Sequence, residues 1–562
     1  MRKYLFILIY LLTQASVYAQ LSTNEFPISY DSKVVCDANV LPEAVVMPEL
    51  NMEAITIEDM KNEANNMPLR FGYRHKVNFS LTNSGIWRKL PNGDKLWQLR
   101  IVCPNAKSIN LLYNKFWLPE GGKLFLYSTD KKHHLGAYTS RNNKGDRMNL
   151  RGFASGLIFD DDIVLEYYQP KEVVEDAIIS IESIVHGYRI ISHTEVIWDT
   201  ITKCQININC ADGHDWQCEK RAVALMLAGE YAIGTGALVN TTNNSRIPYF
   251  LTANHCLRLF IDEYWGSHDA EKDSILDFFS FYWNYEASGC SNIQENITFF
   301  STNGAVVLAN DSVSDFALLR LTEDPKNIVG YTPYYLGWDN SGNSGTPGVC
   351  IHHPYGCVKK IVTVDSIPSH GDHHGNYNAN GMFWRVFWLP SGNTRPCSSG
   401  SPLLNGAHRV IGQLKYGNSY CFCAGPDAYG RFDISWDNKS SITRQLSHWL
   451  NPYNNSQQTL DGLLVVTGDC IFNIDQQAYG NIIVKSGGQL IITADVNAST
   501  VSSMTIESGG KLIIDGGYLN NANITFQSGS SLDILYGGVL DIQGDFVSPL
   551  GVLINIEQGS IQ

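Results

Sequence analysis

Three side chains in this sequence have the types needed to build an activated nucleophile. Ser399 lies in Arg395-Pro396-Cys397-Ser398-Ser399-Gly400-Ser401-Pro402, where small residues on both sides let the backbone turn sharply and leave a hydroxyl exposed. The same turn aims successive N–H groups at one point, as an oxyanion hole requires. His255 ends the apolar run Tyr249-Phe250-Leu251-Thr252-Ala253-Asn254-His255, and Asp315 opens Asp315-Phe316-Ala317-Leu318-Leu319. A neutral serine hydroxyl attacks poorly. An imidazole that takes its proton, fixed in one tautomer by a carboxylate, makes acyl transfer feasible. Each residue alone has a plainer reading: Ser-Gly-Ser-Pro suits an ordinary turn, a lone histidine suits a satisfied core, and Asp315 suits a turn before a strand. The ordered set carries the chemistry.

The order His, Asp, Ser, with separations of 60 and 84 residues, is that of chymotrypsin-type proteases. The Leu251-Thr252-Ala253-Asn254-His255-Cys256, Ser314-Asp315-Phe316 and Ser398-Ser399-Gly400-Ser401-Pro402 segments resemble those of bacterial lysyl endopeptidases, which are secreted trypsin-like serine proteases. Gly337-Trp338-Asp339, Ile351-His352-His353-Pro354 and Tyr429-Gly430-Arg431 extend the resemblance over residues 203 to 462. It implies a chymotrypsin-like double β-barrel with His255, Asp315 and Ser399 catalytic, and the N–H groups of Cys397 and Ser399 as the oxyanion hole. It also implies that Asp427 confers specificity. The position six before Ser399, where trypsin carries an aspartate, is Asn393, whereas Asp427 in Gly425-Pro426-Asp427 aligns with the family's lysine-binding carboxylate. Such a group pairs with a lysine ammonium; the plainer reading is a Pro-Asp turn.

Two departures stand out. Cys397 replaces a family glycine at a position with an unusual backbone conformation, which a Cβ resists. Lys415-Tyr416-Gly417 stands where relatives often show His-Gly-Gly, a change that narrows the cleft or alters its charge. These departures motivate another reading, a catalytically impaired protease-fold protein acting in adhesion or binding; an active serine protease without lysine preference is a further alternative.

The first residues, Met1-Arg2-Lys3 followed by an apolar run and Ala15-Ser16-Val17-Tyr18-Ala19, read as a signal peptide of residues 1–19. No later stretch has transmembrane length, so the expected location is secreted, extracellular or at the cell surface. Thirteen cysteines suit an oxidising space, ten of them from Cys204 to Cys423. The resemblance implies Cys204–Cys421 and Cys210–Cys290 disulfides. Cys350 with Cys357, Cys397 with Cys423, and Cys218 as a substitute partner for Cys256 are further candidates. A net charge of −14 without a basic cluster argues against nucleic acid. Ser369-His370-Gly371-Asp372-His373-His374 lies in a polar loop without a second cluster, so no metal and no cofactor is expected. The partners expected are protein or peptide substrates.

The elements that must position these groups are mainly β. Residues 20–202 alternate short apolar strands with turns and read as a β-sandwich, with a helical pattern near Ile57 to Asn65. The resemblance makes this sandwich a pro-region that keeps a zymogen inactive. The connection to Lys203 would be its cleavage site. Residues 203–462 form the protease domain, ending in a helix over Ser440 to Leu450. In residues 463–562, Ile482-Ile483-Val484-Lys485-Ser486-Gly487-Gly488 recurs near Met504 and Ile524, its serines 22 and 20 residues apart. That period indicates a parallel β-solenoid, which serves as a structural cap, a spacer, or a cell-surface or carbohydrate contact.

Overall fold

Alternating apolar strands in the first third pair into two antiparallel-dominated sheets. One contains Gly72–Ser80, Ser108–Trp117, Phe153–Ala154 and Ile178–Gly187; the other is centred on Lys95–Val102, Lys123–Ser128 and Asp162–Gln169. Trp97, Leu99, Leu111, Tyr113 and Leu165 are buried between them, giving the sandwich its core. The helix before it spans Met52–Ala64, starting earlier than the sequence pattern suggested because the Asn51 side chain accepts from Ala54 N–H and caps it. The computed structural model describes residues 19–20, 25–31, 41–65, 67–189, 204–257, 276–291, 297–389, 392–421, 425–437, 439–498 and 501–562. The apolar leader of residues 1–18, Lys203 and Cys423 lie outside the described residues.

The middle of the chain folds into the double barrel. In the first sheet, Val223–Ala228, Tyr231–Leu238, Tyr249–Ala253, Phe316–Leu321 and Ala305–Asp311 follow one another antiparallel, flanked by Phe279–Trp283 and Phe300–Asn303. The second contains Val349–His352, Lys360–Thr363, Pro402–Leu404, Arg409–Tyr416, Asp427–Arg431 and Phe383–Val386. Most of these strands are buried along their length, and the two sheets bury their inner faces. The expected terminal helix over Ser440 to Leu450 is instead a 3-10 turn at Ile442–Arg444 and one helical turn at Ser447–Leu450, preceded by a separate short helix at Phe432–Asp437. Its continuity is lost where Leu446 N–H bonds to Ser435 O and Arg444 reaches Asp311 at 2.9 Å; tertiary bonds replace the helical ladder.

The last hundred residues are a parallel solenoid. Leu490 pairs with Leu512, Leu512 with Leu532, and Leu532 with Ile554. The first three of these leucines are fully buried. Gly487, Gly509, Gly529 and Gly551 stack at the coil corners with φ of 77–92°, a left-handed turn that glycine adopts freely. Tyr334–Tyr335 of the middle segment pairs antiparallel with Leu463–Val466 and covers the first coil.

Candidate active site

His255 and Asp315 meet because adjacent antiparallel strands carry them. Tyr249–Ala253 pairs with Phe316–Leu321 so that Ala253 faces Phe316, bringing the end of one beside the start of the other. His255 Nδ1 lies 2.7 Å from Asp315 Oδ2, and Asp315 Oδ1 accepts from the His255 backbone N–H at 3.0 Å. The imidazole is partly exposed, whereas Asp315 is buried. One carboxylate thus fixes both the ring and the backbone of the histidine. From the second barrel, the Gln413 side-chain amide donates to Ser314 O at 2.9 Å, holding the peptide before Asp315.

Ser399 reaches the same junction on a loop clamped to the first barrel. Thr235 N–H donates to Ser399 O at 2.8 Å, and Thr235 Oγ1 donates to Cys397 O at 2.8 Å. Gly400 has φ 82°, and a Cβ there would sit 2.2 Å from Thr252 Oγ1. The loop therefore lies directly on the strand leading to His255, and no larger residue fits. No hydrogen bond joins Ser399 Oγ to His255 among the described residues. Catalytic hydrogen bonds are often long without substrate.

Cys397 adopts φ 70° despite its Cβ, so the departure from glycine leaves the local conformation intact. In a planar trans peptide the C=O and the following N–H point opposite ways. Pro396 O accepts from Tyr355 N–H at 2.6 Å, which turns the Cys397 N–H away from Tyr355. Ser398 O accepts from Ser401 N–H at 3.0 Å, which likewise directs the Ser399 N–H outward. Neither the Cys397 nor the Ser399 N–H has an acceptor among the described residues. Two free donors flank the hydroxyl.

Asp427 is fully buried. Its Oδ1 accepts from Asn418 N–H at 2.7 Å and Ser419 N–H at 3.0 Å. Its Oδ2 accepts from Trp388 Nε1 at 2.6 Å, Thr394 Oγ1 at 2.7 Å and Ser419 Oγ at 2.9 Å. Burial pushes its carboxyl above the usual range, and these donors oppose that shift. Asn393 lies beside it, its side chain tied to Gln205 and Cys421. Cys421 is disulfide-bonded to Cys204, with a Cα–Cα distance of 5.6 Å.

Two further groups were named from the sequence without the contacts they make. Lys415 Nζ lies 3.5 Å from Asp315 Oδ1, so this departure from the family acts on the carboxylate that orients His255. His352, fully buried, has its Nδ1 2.8 Å from Ser398 Oγ and braces the residue before Ser399. Burial, with Lys360 nearby, pushes His352 down to about 3 and keeps it neutral. The Ile351-His352-His353-Pro354 motif was the available signal.

The disulfide expectations divide. Cys204–Cys421 and Cys210–Cys290 are formed. Cys350, Cys357, Cys397, Cys218 and Cys256 are free and buried, which corrects the Cys350–Cys357, Cys397–Cys423 and Cys218–Cys256 candidates. Cys350 Sγ instead sits 3.1 Å from Ser401 Oγ, and Cys397 Sγ lies 3.3 Å from Ala232 O. Among the described residues no helix is long and apolar enough to cross a membrane.

Residues 199–430 match the family model for the lysyl endopeptidase C-terminal domain. Among solved structures, a Mycobacterium tuberculosis protease in its active form is similar at 14% identity, covering 38% of this chain and 76% of its own, with a TM-score of 0.23. The serine endoprotease from Yersinia pestis is similar at 15% identity, covering 39% of this chain and 62% of its own, with a TM-score of 0.24. The family match spans all three motif segments and Asp427, and it supports a serine-protease reading of the central segment.

Proposed function

We propose that the chain is a serine endopeptidase that cleaves proteins or peptides after lysine, outside the cytoplasm. Ser399 Oγ attacks the scissile carbonyl while His255 Nε2 takes its proton and then passes it to the leaving amine. Asp315 keeps Nδ1 protonated and stabilises the imidazolium. The N–H groups of Cys397 and Ser399 receive the developing oxyanion; one such donor is worth about 3–4 kcal/mol in the transition state. Water then repeats the cycle on the acyl-enzyme.

The His255–Asp315 pair of hydrogen bonds is the single observation that carries this reading. A carboxylate fastened to both the ring and the backbone of a partly exposed histidine suits an oriented general base better than a core contact does. Asp427 is proposed to receive the substrate lysine. A desolvated carboxylate gains most from a partner cation, and the wall of Thr394, Ser419 and Trp388 fixes its position.

The test is hydrolysis of a lysine ester and a lysine amide by purified protein beside Ser399→Ala. Loss of both activities in the variant supports the mechanism; equal turnover by both proteins sinks it. A panel with arginine, alanine and phenylalanine at the cleaved position then reads the specificity.

A further inference from the structure

The sandwich and the first barrel share one core. Leu69, Phe71 and Tyr113 of the sandwich belong to the same buried cluster as Leu225, Leu227 and Tyr282 of the protease domain. Leu69–Arg70 adds to the first barrel as a strand, with Leu69 opposite Ala232 and Arg70 opposite Tyr231. Charges that are buried on the barrel side find their partners in the sandwich. Arg151 grips the Asp277 carboxylate at 2.8 and 2.9 Å, and the Asn142 side chain donates to Glu323 at 2.7 Å. Arg74 lies 2.6 Å from Glu230.

The cluster also contains Cys397, with Tyr355 packed against it. The Cys397 sulfur lies 3.3 Å from the Ala232 carbonyl, and Ala232 pairs with Leu69 at the seam where the added strand joins the barrel. Tyr355 supplies the N–H that turns the Pro396–Cys397 peptide. A glycine at 397 would leave this seam unfilled. Among the described residues, no sandwich residue hydrogen-bonds His255, Asp315, Ser399 or Asp427. The added strand supports the nucleophile loop from behind.

We propose that the sandwich is a permanent subunit of the enzyme, retained non-covalently after cleavage of the connection and bracing the oxyanion loop through Leu69 and Cys397. Leaving would expose Leu225, Leu227 and Tyr282, strip Asp277 of Arg151 and remove the Asn142 amide from Glu323, and breaking a buried charge pair is strongly destabilising. The retained interface stands on packing alone, whereas its bracing role rests on the protease reading.

The first experiment uses the full Ser399→Ala chain with a site-specific protease site inserted between Thr194 and Glu195. After complete cutting, both pieces are expected to co-elute at the size of the whole chain and to unfold in one thermal transition. A folded carboxy-terminal piece eluting alone overturns retention, whatever the catalytic assays show. The second compares Leu69→Pro, which breaks the strand added beside Ala232, with Val174→Pro in an exposed loop of the sandwich. Turnover is expected to fall at least tenfold in Leu69→Pro with KM changed less than twofold, while Val174→Pro keeps its turnover. Equal turnover in both variants overturns the bracing role. Should Leu69→Pro fail to fold, Cys397→Gly replaces it, and undiminished co-elution of its cut pieces overturns the seam.

Discussion

Asp427 accepts five hydrogen bonds through two oxygens, each surrounded only by donors. Asp427→Asn must turn its NH2 toward Trp388, Thr394 and Ser419, or toward the backbone N–H groups. Either choice leaves buried donors opposed, at a cost of about 1–3 kcal/mol. The variant should lose lysine preference and unfold at lower temperature; full retention of both removes Asp427 from the pocket. Asp315→Asn should cut turnover by roughly ten-thousandfold through the wrong tautomer, measured on a lysine ester. His352 gives a pH prediction whose sign is fixed by burial. Its folded value is depressed from 6.5 to about 3, so the unfolded chain binds the extra proton. Its stabilisation is complete above about pH 6.5 and is lost as pH falls toward 3. The thermal midpoint of His352→Gln should therefore fall less steeply across that window. A slope matching the parent would show that His352 does not stay neutral in the folded protein.

The strands that carry His255 and Asp315 were legible because each is an apolar run closed by one polar residue, and antiparallel pairing of neighbours brings such ends together. The solenoid was legible for a similar reason, since its period is written in serines and glycines. The donors around Asp427, the Lys415 contact and the His352 brace were not, because they join residues from separate strands. Sequence periodicity states which face is apolar but not what covers it, so the sandwich read as self-contained although its core runs into the barrel. The terminal helix failed because polar side chains such as Arg444 found tertiary partners. At this scale the two disulfides give the clearest prediction. They close 217 and 80 residues, and the chain-entropy model assigns them about 5.4 and about 4.5 kcal/mol. Cys204→Ser should also raise KM for lysine substrates, because Cys421 touches Asn393 beside Asp427. Cys210→Ser should lower the thermal midpoint while leaving KM near the parent value. Identical KM in both variants would separate the Cys204–Cys421 bridge from the pocket.

Across the whole molecule the solenoid continues the protease domain. Tyr334–Tyr335 forms its first ladder. His408 stacks between Trp216 at 3.8 Å and Tyr479 at 3.3 Å, and its Nδ1 lies 3.1 Å from buried Glu219. The buried cluster runs from Trp338 through Leu464 to Leu540 without a break. Beyond the first coil, each coil touches only its neighbours, so stability there is a sum of local terms. Two truncations should behave differently. A chain ending at 538 removes outer strands and should leave turnover and the protease-domain midpoint unchanged. A chain ending at 462 uncovers Tyr334, Trp216 and the apolar first ladder. At about 1.5–3 kcal/mol for each large side chain returned to water, the loss is about 5 kcal/mol, enough to lower the midpoint by roughly 10–20 °C in a domain of this size. Calorimetry on both chains decides the point. Equal midpoints would make the solenoid a detachable module and confine the protease fold to its two barrels.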